Sequence, residues 1–229
     1  MISVIIPALN EEKNLLSLIR SLQNEASLCE IVVVDGGSQD GTQAVLTHFP
    51  HQLPTILFKE APKGRGRQMN AGAQLSKGDI LFFLHADCRI EKGSLDEIEK
   101  VIQEGAVGGC LTQSISDERI VFRWIEKSGE SRAQRKKIFY GDQGIFVRKD
   151  IFDQLSGFRE WDLFEDVDFS ERLSKMGRTV ILSKKIYTDP RRWIGLGVVR
   201  TTWINQILLL LFRLGFHPNQ LAKWYRHIR

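Results

Sequence analysis

Four short runs in this chain are apolar at consecutive positions rather than at alternate ones: ISVIIP (Ile2 to Pro7), EIVVVD (Glu30 to Asp35), TILF (Thr55 to Phe58) and DILFFL (Asp79 to Leu84). A strand that is apolar on both faces must be covered on both faces, and helices do the covering. Segments of helical period lie between the runs. In EEKNLLSLIRSLQ, Leu15, Leu18, Ile19 and Leu22 fall on one face; DGTQAVLTHF and GRQMNAGAQLS follow the second and third runs. Strand alternating with helix predicts an α/β domain with a mostly parallel central sheet. In such sheets ligands bind beyond the carboxyl ends of the strands, so the chemistry should lie where each apolar run stops.

Those stops are polar. The first run ends in Pro7-Ala8-Leu9-Asn10-Glu11-Glu12, the second in Asp35-Gly36-Gly37-Ser38-Gln39-Asp40-Gly41-Thr42, and the fourth in His85-Ala86-Asp87. Asp35 before paired glycines suits a ribose or base edge, and Asp40 suits a cap on the next helix. The loop APKGRGRQ sets Lys63, Arg65 and Arg67 among glycines just before a helix, which fits a phosphate contact or a solvated basic loop. Asp87 follows a doubly buried strand, where a bare carboxylate is costly. A divalent ion shared with diphosphate oxygens would satisfy it, as would an ion pair with Arg89. In WDLFEDVDFSERL, Glu165 and Asp166 open a helix. They either complement its dipole or supply a general base, and Asp166 and Asp168 point to different sides.

The later sequence predicts strands over 105–114, 144–148 and 179–183, a basic amphipathic helix within ERIVFRWIEKSGESRAQRKK, and a helix over 165–177. Two other enzyme classes are disfavoured at one position. A nicotinamide fold wants GxGxxG after the first strand, and a nucleotidyltransferase a glycine-rich basic loop there; this chain has PALNEE.

Taken in order, SVIIPALNEEKNL, IVVVDGGSQDGT, KGRGRQMNAGA, FLHAD, GDQGIFVR, FEDVDFSERL and RRW resemble the family 2 glycosyltransferases of the GT-A fold, over residues 2–193. The resemblance implies inverting transfer of a sugar from a nucleoside diphosphate donor to an acceptor hydroxyl, with Mg²⁺ or Mn²⁺ as cofactor. Pro7, Asn10, Glu11 and Asp35 would line the nucleotide, with Lys63, Arg65 and Arg67 along it. Asp87 would hold the metal, and Asp166 of the Glu165-Asp166 pair would be the base. Asp142 and Gln143 would meet the acceptor or donor sugar, while Arg191, Arg192 and Trp193 would close over the diphosphate. Many members carry Asp-x-Asp where this chain has His85-Ala86-Asp87, so a histidine stands in place of the first Asp, and His85 and Ala86 would line the nucleotide donor beside Asp87. A nucleotide-sugar binder without transfer activity stays open beside the enzyme.

The expected organisation is a catalytic domain over 1–192 and a C-terminal helical extension over 193–229. From Arg191 onward there are seven Lys/Arg and no Asp/Glu, which leaves 25 basic against 28 acidic residues in the body. Trp193, Trp203 and Trp224 lie in this tail, which suits an anionic membrane surface and a lipid-linked acceptor, or packing on the body or on a second subunit of a homodimer. No nucleic-acid partner is expected. Three cysteines without a CxxC and an N-terminus without a basic leader point to a reducing, cytoplasmic setting, peripheral to the membrane if the tail binds it.

Overall fold

A computed structural model describes residues 1–22, 25, 29–47 and 55–228. The expected continuation of helices through Gln23 and Phe49 lies outside the described residues. The parallel half of the sheet consists of β1 (Ile2–Ala8), β2 (Cys29–Asp35), β3 (Ile56–Glu60) and β4 (Ile80–Phe83). Its order is β3-β2-β1-β4, and β1 pairs in parallel with both β2 and β4. The helices are α1 (Glu12–Leu22), α2 (Thr42–Thr47) and α3 (Arg65–Leu75).

Successive side chains of β1 go to opposite faces, as the strand period requires. Ile2, Val4 and Ile6 pack in one cluster with Leu15, Leu18, Ile19 and Leu22 of α1. Ile5 packs in the other with Met69 and Ala73 of α3. All of these are essentially fully buried, and each Val, Leu or Ile so covered contributes roughly 1.5–3 kcal/mol. Helix α3 lies unusually close to the sheet because it carries Gly72 there, where a Cβ would come within 2.5 Å of Ile5 Cγ2.

The second half is mixed. The elements are β5 (Cys88–Ile90), α4 (Ser94–Gln103), β6 (Gly108–Ile115), α5 (Ile120–Lys136), a 3₁₀ turn (Gly141–Gln143), β7 (Ile145–Arg148), α6 (Lys149–Gln154), α7 (Glu165–Leu173) and β8 (Thr179–Thr188). The sheet continues β4-β7-β6-β8-β5, with β7 antiparallel to both β4 and β6 and β5 antiparallel to β8. Between β6 and β8 the register jumps from Leu111↔Leu182 to Thr112↔Lys185. This bulge raises the local twist and curls the sheet. The curl is what lets β5 follow β4 within four residues while sitting at the far end of the strand order. Strand β8 runs five residues past the expected Ser183, because β5 offers it an antiparallel partner.

The tail forms α8 (Arg191–Leu196), α9 (Val198–Arg213) and α10 (Pro218–Ile228). Leu208, Leu221 and Tyr225 make a third apolar cluster, against which Leu163, Phe164 and Phe212 pack. Among the described residues no helix is long and apolar enough to cross a membrane. Cys88 and Cys110 are buried free thiols.

Candidate active site

The polar ends of β1, β2 and β4 meet as the sheet order requires. The backbone N–H of Asn10, which is held at φ 56°, donates to Ser38 Oγ at 2.8 Å, and its Oδ1 accepts from Gln39 N at 2.8 Å. Glu11 N donates to Thr42 Oγ1 at 2.8 Å. Asp40 caps α2, accepting from Thr42 N at 3.0 Å, and also accepts from Glu12 N at 3.3 Å. Asp35 is fully buried at the end of β2. Burial works against its charge, but hydrogen bonds from Gln43 Nε2 and from Ser38 outweigh that and hold its carboxyl below the usual range. Pro7 is buried within β1, and Ala86 is buried in the core below the loop.

Beyond β4 the chain makes a tight turn in which Cys88 N donates to His85 O at 3.1 Å. Asp87 therefore projects from a turn. The ion pair with neighbouring Arg89 does not form; Asp87 Oδ2 instead accepts from Arg191 Nη2 at 3.1 Å. The same guanidinium nitrogen reaches Glu11 Oε1 at 2.9 Å. Arg191, at the start of α8, thus sits between two carboxylates delivered by two different strand ends. Partial burial works against its charge, but Glu11 and Asp87 raise its pKa.

The opposite wall comes from three elements. Arg65 opens α3, Asp142 lies in the 3₁₀ turn, and Glu165 and Asp166 open α7. Arg65 keeps exposed surface, yet desolvation by its crowded neighbours opposes its charge, and the carboxylates of Glu165, Asp166, Asp87 and Asp142 overcome this and raise its pKa. Glu165 is buried, and desolvation together with the Asp166 charge pushes its pKa up to about 7 against the pull of Arg65. Asp166 is oriented by two backbone donors. Gly141 N donates to Oδ2 at 2.7 Å and Val167 N to Oδ1 at 2.7 Å. His85 also lies against Gly141: a Cβ there would be 2.7 Å from His85 Nε2 and 3.5 Å from Asp166 Oδ2. Desolvation and Arg65 bring the imidazole pKa down to about 4, against Asp87 and Asp166, so His85 is neutral near pH 7.

Other expected site residues have partners of their own or lie at the surface, and Asp142 of that wall is held by a partner as well. Arg67 pairs with Asp162 at 3.1 Å and donates to Glu160 O at 3.1 Å, so it fastens the loop before α7 to α3. Gln143 is buried, accepting from Arg132 Nη2 at 2.8 Å and Tyr140 N at 3.0 Å, and so shapes the 3₁₀ turn from within. Asp142 Oδ2 accepts from Gln113 Nε2 at 2.8 Å. Trp193 meets Phe122 edge to face at 6.1 Å. Lys63 is exposed; the side chain of Arg192 lies outside the described residues. Asp168 pairs with Arg172 at 2.7 Å, on the other side of α7 from the Asp166 hydrogen bond.

Three supporting residues escaped the sequence reading. Gln68 is buried, and its Nε2 donates at 2.8 Å to Ala8 O and at 2.8 Å to Val34 O, tying α3 to the ends of β1 and β2. Its place on the same helical face as Gly72 was the available signal. Asn70 brackets Phe158, donating to its carbonyl and accepting from its N–H, both at 2.9 Å. Arg132 stacks on Tyr140 with its guanidinium carbon 3.4 Å from the ring centroid, a contact with no signature in the sequence.

A curled sheet with acidic and basic side chains gathered beyond its parallel strands defines the GT-A class of fold. Residues 3–157 match the sequence profile of Glycosyl transferase family 2, and the chain belongs to that family. It is 26% identical over 242 residues to the probable glycosyltransferase YdaM of Bacillus subtilis, covering 94% of this chain and 57% of that relative. The chain therefore spans little more than half of that protein's length. Among solved structures it resembles S. aureus TarS 1-349, with a TM-score of 0.70, 20% identity, and coverage of 83% of this chain and 60% of that one. It also resembles the mannosyltransferase PcManGT from Pyrobaculum calidifontis, solved with GDP-Man and Mn2+, at a TM-score of 0.71 and 19% identity, covering 99% of this chain and 69% of that one.

Proposed function

We propose that this chain transfers a sugar from a nucleoside diphosphate sugar to an acceptor hydroxyl by a single inverting displacement, with residues 1–192 as the catalytic part. The observation that carries this is the Asp166 carboxylate, fixed by the N–H groups of Gly141 and Val167 within an acidic cluster around Arg65. TarS has been solved with UDP and with UDP-GlcNAc, and PcManGT with GDP-Man, which supports a nucleotide-sugar donor.

Asp166 takes the proton of the acceptor hydroxyl as its oxygen attacks the anomeric carbon, and the bond from that carbon to the diphosphate oxygen breaks on the opposite face. The electron pair leaves with the diphosphate, and Arg65 and Arg191 stabilise the charge that develops there. Glu165, partly protonated near neutral pH, keeps the pair from carrying two full charges. Asn10, Glu11 and Asp35 line the nucleotide side, and neutral His85 lines the floor.

Among the described residues no three carboxylate, His or Cys side chains gather as a metal cluster. A divalent ion in such a site takes one or two carboxylates and completes its shell with substrate phosphates and water, and Asp87, facing the same cation as Glu11, fits that donor set. Asp87 would hold Mg²⁺ or Mn²⁺, which when bound neutralises charge on the departing diphosphate. The test is donor turnover with a panel of nucleotide sugars and Mn²⁺. Asp166→Asn should lose 10²-fold or more, as is typical on loss of a general base. Asp87→Ala should lose metal-dependent nucleotide binding. Near-normal turnover by Asp166→Asn removes it as the base.

A further inference from the structure

Helix α9 has two different faces. At about 100° per residue, Val199, Trp203, Ile207, Leu210 and Leu214 fall within a sector about 80° wide, while Thr201 and Leu208 lie on the opposite side. The inner side is used: Leu208 and Thr201 are buried and Phe212 stacks on Phe164 at 5.0 Å, while Arg213 on the flank pairs with Glu171 of α7. The outer five are 51% to 68% exposed. Ile194 of α8 and the neighbouring pair Phe216 and Trp224, 6.3 Å apart, add to the bare apolar surface. A continuous stripe of this kind is not left in water by the demands of folding, because the core of the tail is already closed on its other side.

We propose that this outer face of α9 docks on an anionic membrane surface. The charge pattern selects that occupant. Arg200 is exposed beside the stripe and Lys223 beside Trp224, and residues 191–229 contain no acidic side chain. A second copy meeting the same face by two-fold symmetry would bring like charges together, whereas anionic headgroups neutralise them. The helix has 16 residues, about 24 Å, so it lies short of the roughly 30 Å hydrocarbon core, and its inner face is committed to the body. It therefore lies along the surface, apolar side chains down and tryptophans at headgroup level.

The test needs no donor or acceptor, so its outcome is independent of the catalytic reading. The full chain is floated with phosphatidylglycerol-containing vesicles and with pure phosphatidylcholine vesicles. The comparison proteins are a triple variant, Val199→Ser, Trp203→Ser and Leu210→Ser, and a charge variant, Arg200→Gln and Lys223→Gln, each checked by thermal melting. The wild type should float with the anionic vesicles. The triple variant should lose roughly tenfold or more in partition, and the charge variant should lose its preference for anionic lipid. A wild type that stays at the bottom of the gradient overturns the proposal, as does a folded triple variant that floats equally well. A lipid-free dimer that the triple variant converts to monomer also overturns it, since a second copy then covers the stripe. Should the triple variant fail to fold, the wild type on the two vesicle types and the charge variant still decide.

Discussion

Gly141 has no room for a side chain, and Gly141→Ala is the sharpest way to test whether Asp166 works through its position. The new Cβ would stand 2.7 Å from His85 Nε2 and 2.8 Å from His85 Cε1, with Asp166 Oδ2 at 3.5 Å. Favourable carbon contacts begin near about 3.5 Å, so the imidazole or the 3₁₀ turn must move by about 0.8 Å. If the turn moves, the 2.7 Å bond from Gly141 N to the carboxylate is lost or bent. If the ring moves, it is pushed across the cleft floor. A misplacement of about 1 Å at a reacting group can cost on the order of 10²-fold, equivalent to about 2.7 kcal/mol of barrier. Gly141 does not have a positive φ, so alanine fits its backbone and folding should be largely retained. The assay is kcat and KM for donor turnover beside a thermal melt. The expected pattern is a kcat loss near 10²-fold with nucleotide affinity and melting temperature little changed. A variant within about threefold of wild-type kcat, well under 1 kcal/mol, would refute the claim that the Gly141 hydrogen bond positions the base.

Two further outcomes follow from neighbouring side chains. Gln68→Ala removes two hydrogen bonds from the ends of β1 and β2, at about 1 kcal/mol each, so denaturant unfolding should show a loss of about 2 kcal/mol or more; unchanged stability would remove the strand-tying role. Glu165 has its folded pKa raised to about 7 from the ordinary 4.5, so its contribution is complete below about pH 4.5 and is lost as pH rises through 7. Glu165→Gln should abolish up to about 3 kcal/mol of that decline, seen as a flatter stability profile between pH 5 and 7.5 in urea melts, and an identical profile in the two proteins would place the raised pKa elsewhere.

The parallel half of the sheet was legible because its strands are buried on both faces, and that burial writes itself as unbroken apolar runs such as ISVIIP and ILFF. The second half was legible only in pieces. Strand β5 is CRI, three residues with an exposed arginine at its centre, and it exists because the curl at the β6/β8 bulge brings β8 beside it. No local pattern encodes a partner that distant. The site follows the same division. The positions of Glu11, Asp35 and Asp87 at strand ends were readable because each ends an apolar run, whereas the contacts of Arg67, Arg191 and Gln143 depend on what faces them from distant elements. Arg67 and Arg65 look equivalent in KGRGRQ. They are the first and third residues of α3, so about 200° of helical rotation separates them, and that turns Arg65 toward the acidic cluster and Arg67 toward Asp162.

The tail and the start of α7, which carries Asp166, are one mechanical unit. Phe164 immediately precedes Glu165 and Asp166 and is held at φ 63°, a conformation that non-glycine residues adopt at a cost of about 1–3 kcal/mol. What holds it is the stack on Phe212 and the packing of Leu163 and Phe164 on the Leu208, Leu221 and Tyr225 cluster. Asn219 accepts a 3.0 Å hydrogen bond from Asp162 N, and Arg213 clasps Glu171 on the same helix as Asp166. Each of these contacts comes from α9, α10 or the turn between them. The start of α7 therefore takes its geometry from both sides, from Gly141 within the catalytic fold and from the inner face of the tail. Removing the tail would leave Phe164, the αL residue before Glu165 and Asp166, without its support.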